Sequence, residues 1–123
     1  GGIILAYETA RHLGTRGVFA ERDEEEGMAV KRGFHIPEGT RILIVEDIVT
    51  TGGSVHKTIK HLTQRGANVV GVSVLIDRSD GEAQFDCPYL PLATLSMKSW
   101  APDACALCDA HAPLIEPDDI VIV

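Results

Sequence analysis

The residues best suited to chemistry lie in one stretch, Glu46-Asp47-Ile48-Val49-Thr50-Thr51-Gly52-Gly53-Ser54. Two adjacent carboxylates are followed by three hydroxyls and two glycines. Small residues let backbone N–H groups converge on an anion, and the hydroxyls of Thr50, Thr51 and Ser54 add donors. Such a loop opening a helix is a phosphate cradle, because the helix N-terminus adds partial positive charge. The acids would repel a phosphate placed against them. They make sense where the ligand also offers hydroxyls, a metal ion or developing positive charge, as a ribose 5-phosphate does. The plainer alternative is a tight strand-to-helix turn with solvated acids. The stretch is not a nucleotide P-loop, since no Lys follows the glycines in the Gly-x-x-x-x-Gly-Lys-Ser/Thr frame. No Gly-x-Gly-x-x-Gly is present either.

The elements needed to position these groups are legible around them. Arg41 to Val45 is a β-branched apolar run, the pattern of a strand buried on both faces of a parallel sheet. Ser54 to Arg65 reads as a helix with Val55, Ile59 and Leu62 inward and Gly66 as its stop. Val69 to Ile76 is a second buried strand, and Leu90 to Leu95 a weaker third. Upstream, Ile3 to Leu13 reads as a helix with Ile3, Tyr7, Ala10 and Leu13 on one face, stopped by Gly14. Val18 to Ala20 and Val30 to Phe34 read as short strands. Between them Glu21 to Gly27 is acidic and reads as a loop, either solvated or a mobile part of the active site. Strand–helix–strand repetition means a parallel α/β sheet with ligands at the C-terminal ends of its strands.

Composition bounds the rest. With 123 residues, 45% hydrophobic and 24% charged, the chain suits one domain able to bury a core without disulfides. The net charge of −7 argues against a general nucleic-acid binder. No apolar run approaches the roughly 20 residues that span a bilayer, and no signal-peptide pattern is read. Three cysteines cannot all pair with one another, which favours a reducing, cytoplasmic setting. The start, Gly1-Gly2-Ile3 without a methionine, reads as the interior of a fold, so N-terminal truncation is expected.

Val45 to Ser54 resembles the phosphoribosyl pyrophosphate (PRPP) motif of the type I phosphoribosyltransferases. Further segments resemble the orotate-specific branch of that family. Gly1-Gly2-Ile3 is similar to the end of its pyrophosphate loop. Phe19-Ala20-Glu21-Arg22 with Arg32-Gly33-Phe34 is similar to its catalytic-loop region. Asp77-Arg78-Ser79 is similar to its orotate-binding Asp-Arg element, and Pro102 to Cys108 with Pro113 to a Cys-x-x-Cys tail. The resemblance implies an α/β type I phosphoribosyltransferase fold, a parallel sheet flanked by helices, spanning 1–123 as a partial domain with a short tail at 101–123. It implies transfer of ribose 5-phosphate from PRPP to orotate, with Mg²⁺ bound mainly through PRPP, in a cytoplasmic homodimer with no nucleic-acid or membrane partner. Carried over by position, Glu46 and Asp47 would hold the ribose hydroxyls and act in catalysis. Ile48 and Val49 would belong to the PRPP site, and Thr51, Gly52, Gly53 and Ser54 would wrap the 5-phosphate. Thr50 and Arg78 would meet orotate, and Arg22 would serve PRPP and catalysis. Arg78 could instead form an ordinary ion pair with Asp77 or Asp80.

Several departures from the family pattern stand out. The loop at Glu21 to Gly27 is short and acidic where the family commonly carries Lys and His. The end, Pro117 to Val123, replaces a more basic one, and the family's N-terminal portion has no counterpart in the chain. A purine-base transferase and a non-catalytic PRPP-sensing regulator therefore stay open beside the orotate reading. Cys105-x-x-Cys108, with His111 and Cys87, has zinc-ligand spacing, but a packed tail of reduced cysteines and a redox pair are the competing readings. His12, His35, His56 and His61 lie outside the motif. His56 and His61 are expected at the surface, because the inward helix face is already filled.

Overall fold

In the computed structural model of the chain, the described residues are 1–97 and 100–113; the expectations for Pro117 to Val123 lie outside them. Helix α1 spans Ile3–Leu13. It ends as its sequence dictates, at Gly14 in the left-handed region (φ 62°), with the Thr15 N–H donating to the Ala10 carbonyl at 2.9 Å. Its apolar face does not enter the core. Ile3, Tyr7 and Leu13 are 48%, 64% and 62% exposed.

The acidic stretch is not a loop. β1 (Ala20–Asp23) and β2 (Gly27–Val30) form an antiparallel hairpin with Ala20 opposite Val30 and Asp23 opposite Gly27. The expected strands at Val18 to Ala20 and Val30 to Phe34 are thus displaced inward onto the charged residues. Turn chemistry overrides polarity here. Asp23 Oδ1 accepts the N–H groups of Glu25 and Glu26 at 3.0 and 2.9 Å, and Gly27 supplies the positive φ of 77° that returns the chain. Lys31 reaches Asp23 at 2.7 Å and Arg32 reaches Glu21 at 2.8 Å, so basic residues downstream offset the strand acids. The Lys31 contact is the main reason the Asp23 carboxyl is lowered to about 2.

β3 (Arg41–Val49), β4 (Asn68–Asp77) and β5 (Tyr89–Thr94) form a parallel sheet in that order. Helix α2 (Gly53–Gln64) makes the crossover from β3 to β4, as strand–helix–strand patterning requires. The core gathers Val30, Ile44, Val49, Val55, Leu62, Ala67, Val72, Val74 and Ala83. It lies between the sheet and α2, with β2 closing one side. Burial is one-sided, however. Leu43 and Leu75 remain 38% and 40% exposed, because α2 covers one face and α1 only part of the other. A continuous apolar run therefore overstated how deeply β3 is enclosed. Residues 102–109 form a 3₁₀ turn (Pro102–Ala104) and the four-residue helix α3 (Ala106–Asp109). No described helix is long and apolar enough to cross a membrane.

His61 departs from its expected surface position. It is 2% exposed, its Nε2 accepts the Val30 N–H at 3.0 Å, and its Nδ1 contacts the Glu26 carboxylate. The hairpin covers the α2 face on which helical periodicity had placed solvent. His56 does lie at the surface, tilted against Phe85 with ring centroids 4.8 Å apart.

Candidate active site

β3 runs four residues beyond the apolar stretch, so Glu46 and Asp47 lie within the strand and not after it. Val49 pairs with Asp77, and the chain then turns through Thr50 to Gly52 into α2. Gly52 makes this turn possible. Its φ of 76° is left-handed, and a Cβ there would lie 3.1 Å from Phe85 Cζ. No side chain caps α2 at Gly52, and of its first-turn N–H groups that of Gly53 reaches Thr51 Oγ1 at 3.4 Å, within the loop. Residues 46–55, joined by Gly1, line a cavity of about 220 Å³. It contains the carboxylates, all three hydroxyls and the uncapped helix end. Its walls are polar on one side and dipolar on the other, as a ligand bearing both hydroxyls and an anion requires.

The N-terminal end of α1 meets the same strand. The Gly2 N–H donates to Glu46 Oε1 at 2.9 Å, and the Asp47 N–H donates to the same oxygen at 3.1 Å. A Cβ on Gly2 would lie 2.7 Å from the Val45 carbonyl oxygen, so glycine permits the approach. The two carboxyls differ in kind. Burial, followed by the neighbouring Asp47, raises Glu46 above the ordinary range despite its two backbone donors. Asp47 is lowered, first by its hydrogen bond with Glu46 and also by the Ile48 N–H at 2.9 Å. The pair can hold one proton between them on Glu46 while Asp47 stays ionised. Such a pair accepts hydroxyl hydrogens and faces positive charge well.

Of the residues expected at the site, the fold brings together Glu46, Asp47, Ile48, Val49, Thr50, Thr51, Gly52, Gly53 and Ser54. Arg22 and Arg78 are not in the cavity wall. Arg22 is exposed on β1, where its carbonyl accepts from Lys31 Nζ at 3.5 Å. Arg78 follows β4, and its N–H donates to the Val49 carbonyl at 2.7 Å, which fixes it beside the cavity-lining strand. It forms no ion pair with Asp77 or Asp80, and its Nε is buried without a hydrogen-bond partner among the described residues.

Asp77, not singled out by its sequence context as a structural group, is 5% exposed. Its carboxyl is lowered, first by the facing Ser79 hydroxyl and then by the Ser79 N–H, which donates to Oδ1 at 2.7 Å. Burial, and then Asp77 itself, pushes the Tyr89 hydroxyl up to about 12. A lowered acid contributes stability that is present above its ordinary value of 3.8 and is lost as pH falls through its folded value. Asp77→Asn is therefore expected to flatten the acid limb of the urea midpoint between about pH 5 and pH 2. An unchanged limb would remove Asp77 as its source.

Cys87, Cys105, Cys108 and His111 do not converge. No set of three or more His, Cys, Asp or Glu side chains among the described residues could hold a metal. A hydrogen bond from the Cys108 backbone, then one from its side chain, lowers the Cys105 thiol.

The fold is a parallel α/β sheet with a polar cavity at a strand end, and comparison with known proteins supplies its family. The family model for the phosphoribosyl transferase domain matches residues 1–102. The chain belongs to this family and has the type I phosphoribosyltransferase fold. It is 47% identical over 117 residues to an orotate phosphoribosyltransferase of Caldanaerobacter subterraneus subsp. tengcongensis, covering 95% of this chain and 61% of that protein. It is 48% identical, also over 117 residues, to one from Methylorubrum extorquens, covering 95% and 60%. The chain thus spans about three-fifths of the length of these relatives. An orotate phosphoribosyltransferase structure from Aeropyrum pernix superposes with TM-score 0.62 at 27% identity, covering 77% of this chain and 56% of that one. The adenine phosphoribosyltransferase of Saccharomyces cerevisiae shares the fold with TM-score 0.65 at 22% identity, covering 74% and 60%.

Proposed function

We propose that this chain works as an orotate phosphoribosyltransferase, transferring ribose 5-phosphate from PRPP to orotate to give orotidine 5′-monophosphate and pyrophosphate in pyrimidine synthesis. The observation that carries the reading is the Glu46–Asp47 pair set at the rim of an uncapped helix N-terminus within one cavity. Relatives at 41–48% identity bearing the orotate name support the choice of base.

In this reading the first turn of α2 with Thr51, Gly52, Gly53 and Ser54 holds the 5-phosphate. Ile48 and Val49 shape the floor. Glu46 and Asp47 take the ribose hydroxyls and face the sugar carbon as it gains oxocarbenium character. Thr50 and Arg78 bind orotate, and Arg22 meets the pyrophosphate end. The chain gathers no multi-carboxylate cage among the described residues, but the half-buried Asp47 carboxylate in the cavity wall suits an ion carried mainly by a phosphorylated ligand, which is how Mg²⁺ usually binds. Bound there, Mg²⁺ would neutralise the charge growing on the departing pyrophosphate. We further propose a cytoplasmic homodimer, with 101–123 as a tail to the domain and with neither nucleic acid nor membrane as partner.

The test offers orotate, uracil, adenine and hypoxanthine separately with PRPP and Mg²⁺ and follows base consumption. Orotate alone should disappear. Arg78→Ala should lower kcat/KM for orotate at least about a hundred-fold, the scale of a charge-assisted contact near 3 kcal/mol, while leaving PRPP affinity unchanged. Consumption of a purine base would overturn the orotate reading. PRPP binding with no base consumed would point to a regulator.

A further inference from the structure

His61 is a buried imidazole that the site does not use. It lies two turns along α2 from the phosphate loop and ties that helix to the β1–β2 hairpin at two points. Val30 N–H can only donate, so Nε2 must accept, and the one ring proton belongs on Nδ1, facing Glu26. We propose that His61 is a proton-operated latch: in its neutral form it pins the hairpin to α2, and protonation at Nε2 releases β2 from the helix.

The physical reason is donor against donor. A proton on Nε2 would point at the Val30 N–H, in a site where the ring is 2% exposed and water cannot substitute. The surrounding charges are few. Glu26, on the hairpin turn, favours the imidazolium. Just past the end of α2, Arg65 approaches the same carboxylate at 3.9 Å and competes for it. Lys57 lies along the hairpin, its Cδ 2.7 Å from where a Cβ on Gly27 would stand. Both cations oppose a third. Protonation therefore keeps the Glu26 contact and breaks the Val30 one, loosening the hairpin at its β2 side. The hairpin carries Arg22, so the consequence for pyrophosphate rests on the proposed transferase reading. The latch itself does not, and its test reads the hairpin and not turnover.

The test is amide hydrogen exchange of the whole chain between about pH 8 and pH 5, with each rate corrected for intrinsic exchange. Protection of Val30 should fall about ten-fold, the weight of one hydrogen bond, while Ile44 and Val72 in the core hold theirs. In His61→Gln the amide can still accept from Val30 and donate to Glu26 but does not titrate, so protection should stay level. Glu26→Gln keeps an acceptor on Nδ1 but removes the charge that favours the imidazolium, so the fall should move to lower pH. A parallel loss at Val30, Ile44 and Val72 would overturn the proposal. So would an equal fall in His61→Gln or, should that variant not fold, a fall at unchanged pH in Glu26→Gln.

Discussion

Glu46→Gln combined with Asp47→Asn is expected to lower phosphoribosyl transfer by about a thousand-fold, the upper range for removing a preorganised electrostatic group. The melting temperature should change little. The amide introduced by Glu46→Gln still offers an oxygen to the two N–H groups that Glu46 accepts at 2.9 and 3.1 Å. Asp47 lies in the cavity wall and holds the Ile48 N–H beside its neighbour Glu46, so its loss removes charge more than structure. The singles should be unequal. Asp47, whose carboxyl is lowered, should keep its contribution further into acid. The contribution of Glu46 should depend on pH, since its raised value leaves it protonated further up the scale than an ordinary carboxyl. Activity that needs both groups ionised should therefore decline on acidification earlier than a free Glu would dictate, and Glu46→Gln should erase that decline. Steady-state rates from about pH 8 to pH 4 check this. Turnover unchanged in the double variant would end the carboxylate assignment.

Gly52→Val is expected to abolish PRPP binding and to destabilise the chain by about 2–4 kcal/mol, combining left-handed backbone strain with a steric clash. The position is constrained twice, by its φ of 76° and by Phe85 Cζ at 3.1 Å from the new Cβ. Phe85 is itself wedged by Tyr89, with ring centroids 5.0 Å apart, so it cannot yield freely. Relief would have to come from the loop, and any shift there swings the first N–H groups of α2 off the phosphate position. Gly81 supplies the control. Its φ is 85°, yet nothing lies within 4 Å of an added Cβ. Gly81→Ala should cost only the backbone term, about 1 kcal/mol, and leave PRPP binding intact. Urea unfolding and titration calorimetry separate the two. Equal tolerance at both glycines would mean that the Phe85 contact does not shape the loop.

The hairpin shows what local pattern misses. Charge density made 21–27 look like a loop, but Asp23 and Gly27 at the spacing of a three-residue turn were the available signal for a hairpin. Its ion pairs with Lys31 and Arg32 then let five acids lie on ordered backbone. The His61 error has a different origin. Helical periodicity assigns an inward face relative to one neighbour, the sheet, and cannot register a second layer packing on the far side. α1 shows the converse: an apolar stripe predicts a helix and its stop, but not that the stripe finds cover.

The sequence by itself determined the parallel strand–helix–strand unit, the loop composition and the consecutive residues 46–54, because these depend on local pattern and spacing. Neighbours in sequence stay neighbours at a strand end, so the cavity's contents were readable from one segment. Tertiary structure alone decided how Gly2 meets Glu46, how the two carboxyls divide a proton, and that Arg78 lies beside the sheet end while Arg22 faces solvent. Those outcomes depend on burial and on contacts between residues dozens of positions apart. Such contacts set the local dielectric and the hydrogen-bond partners, and neither is written in any short stretch of chain.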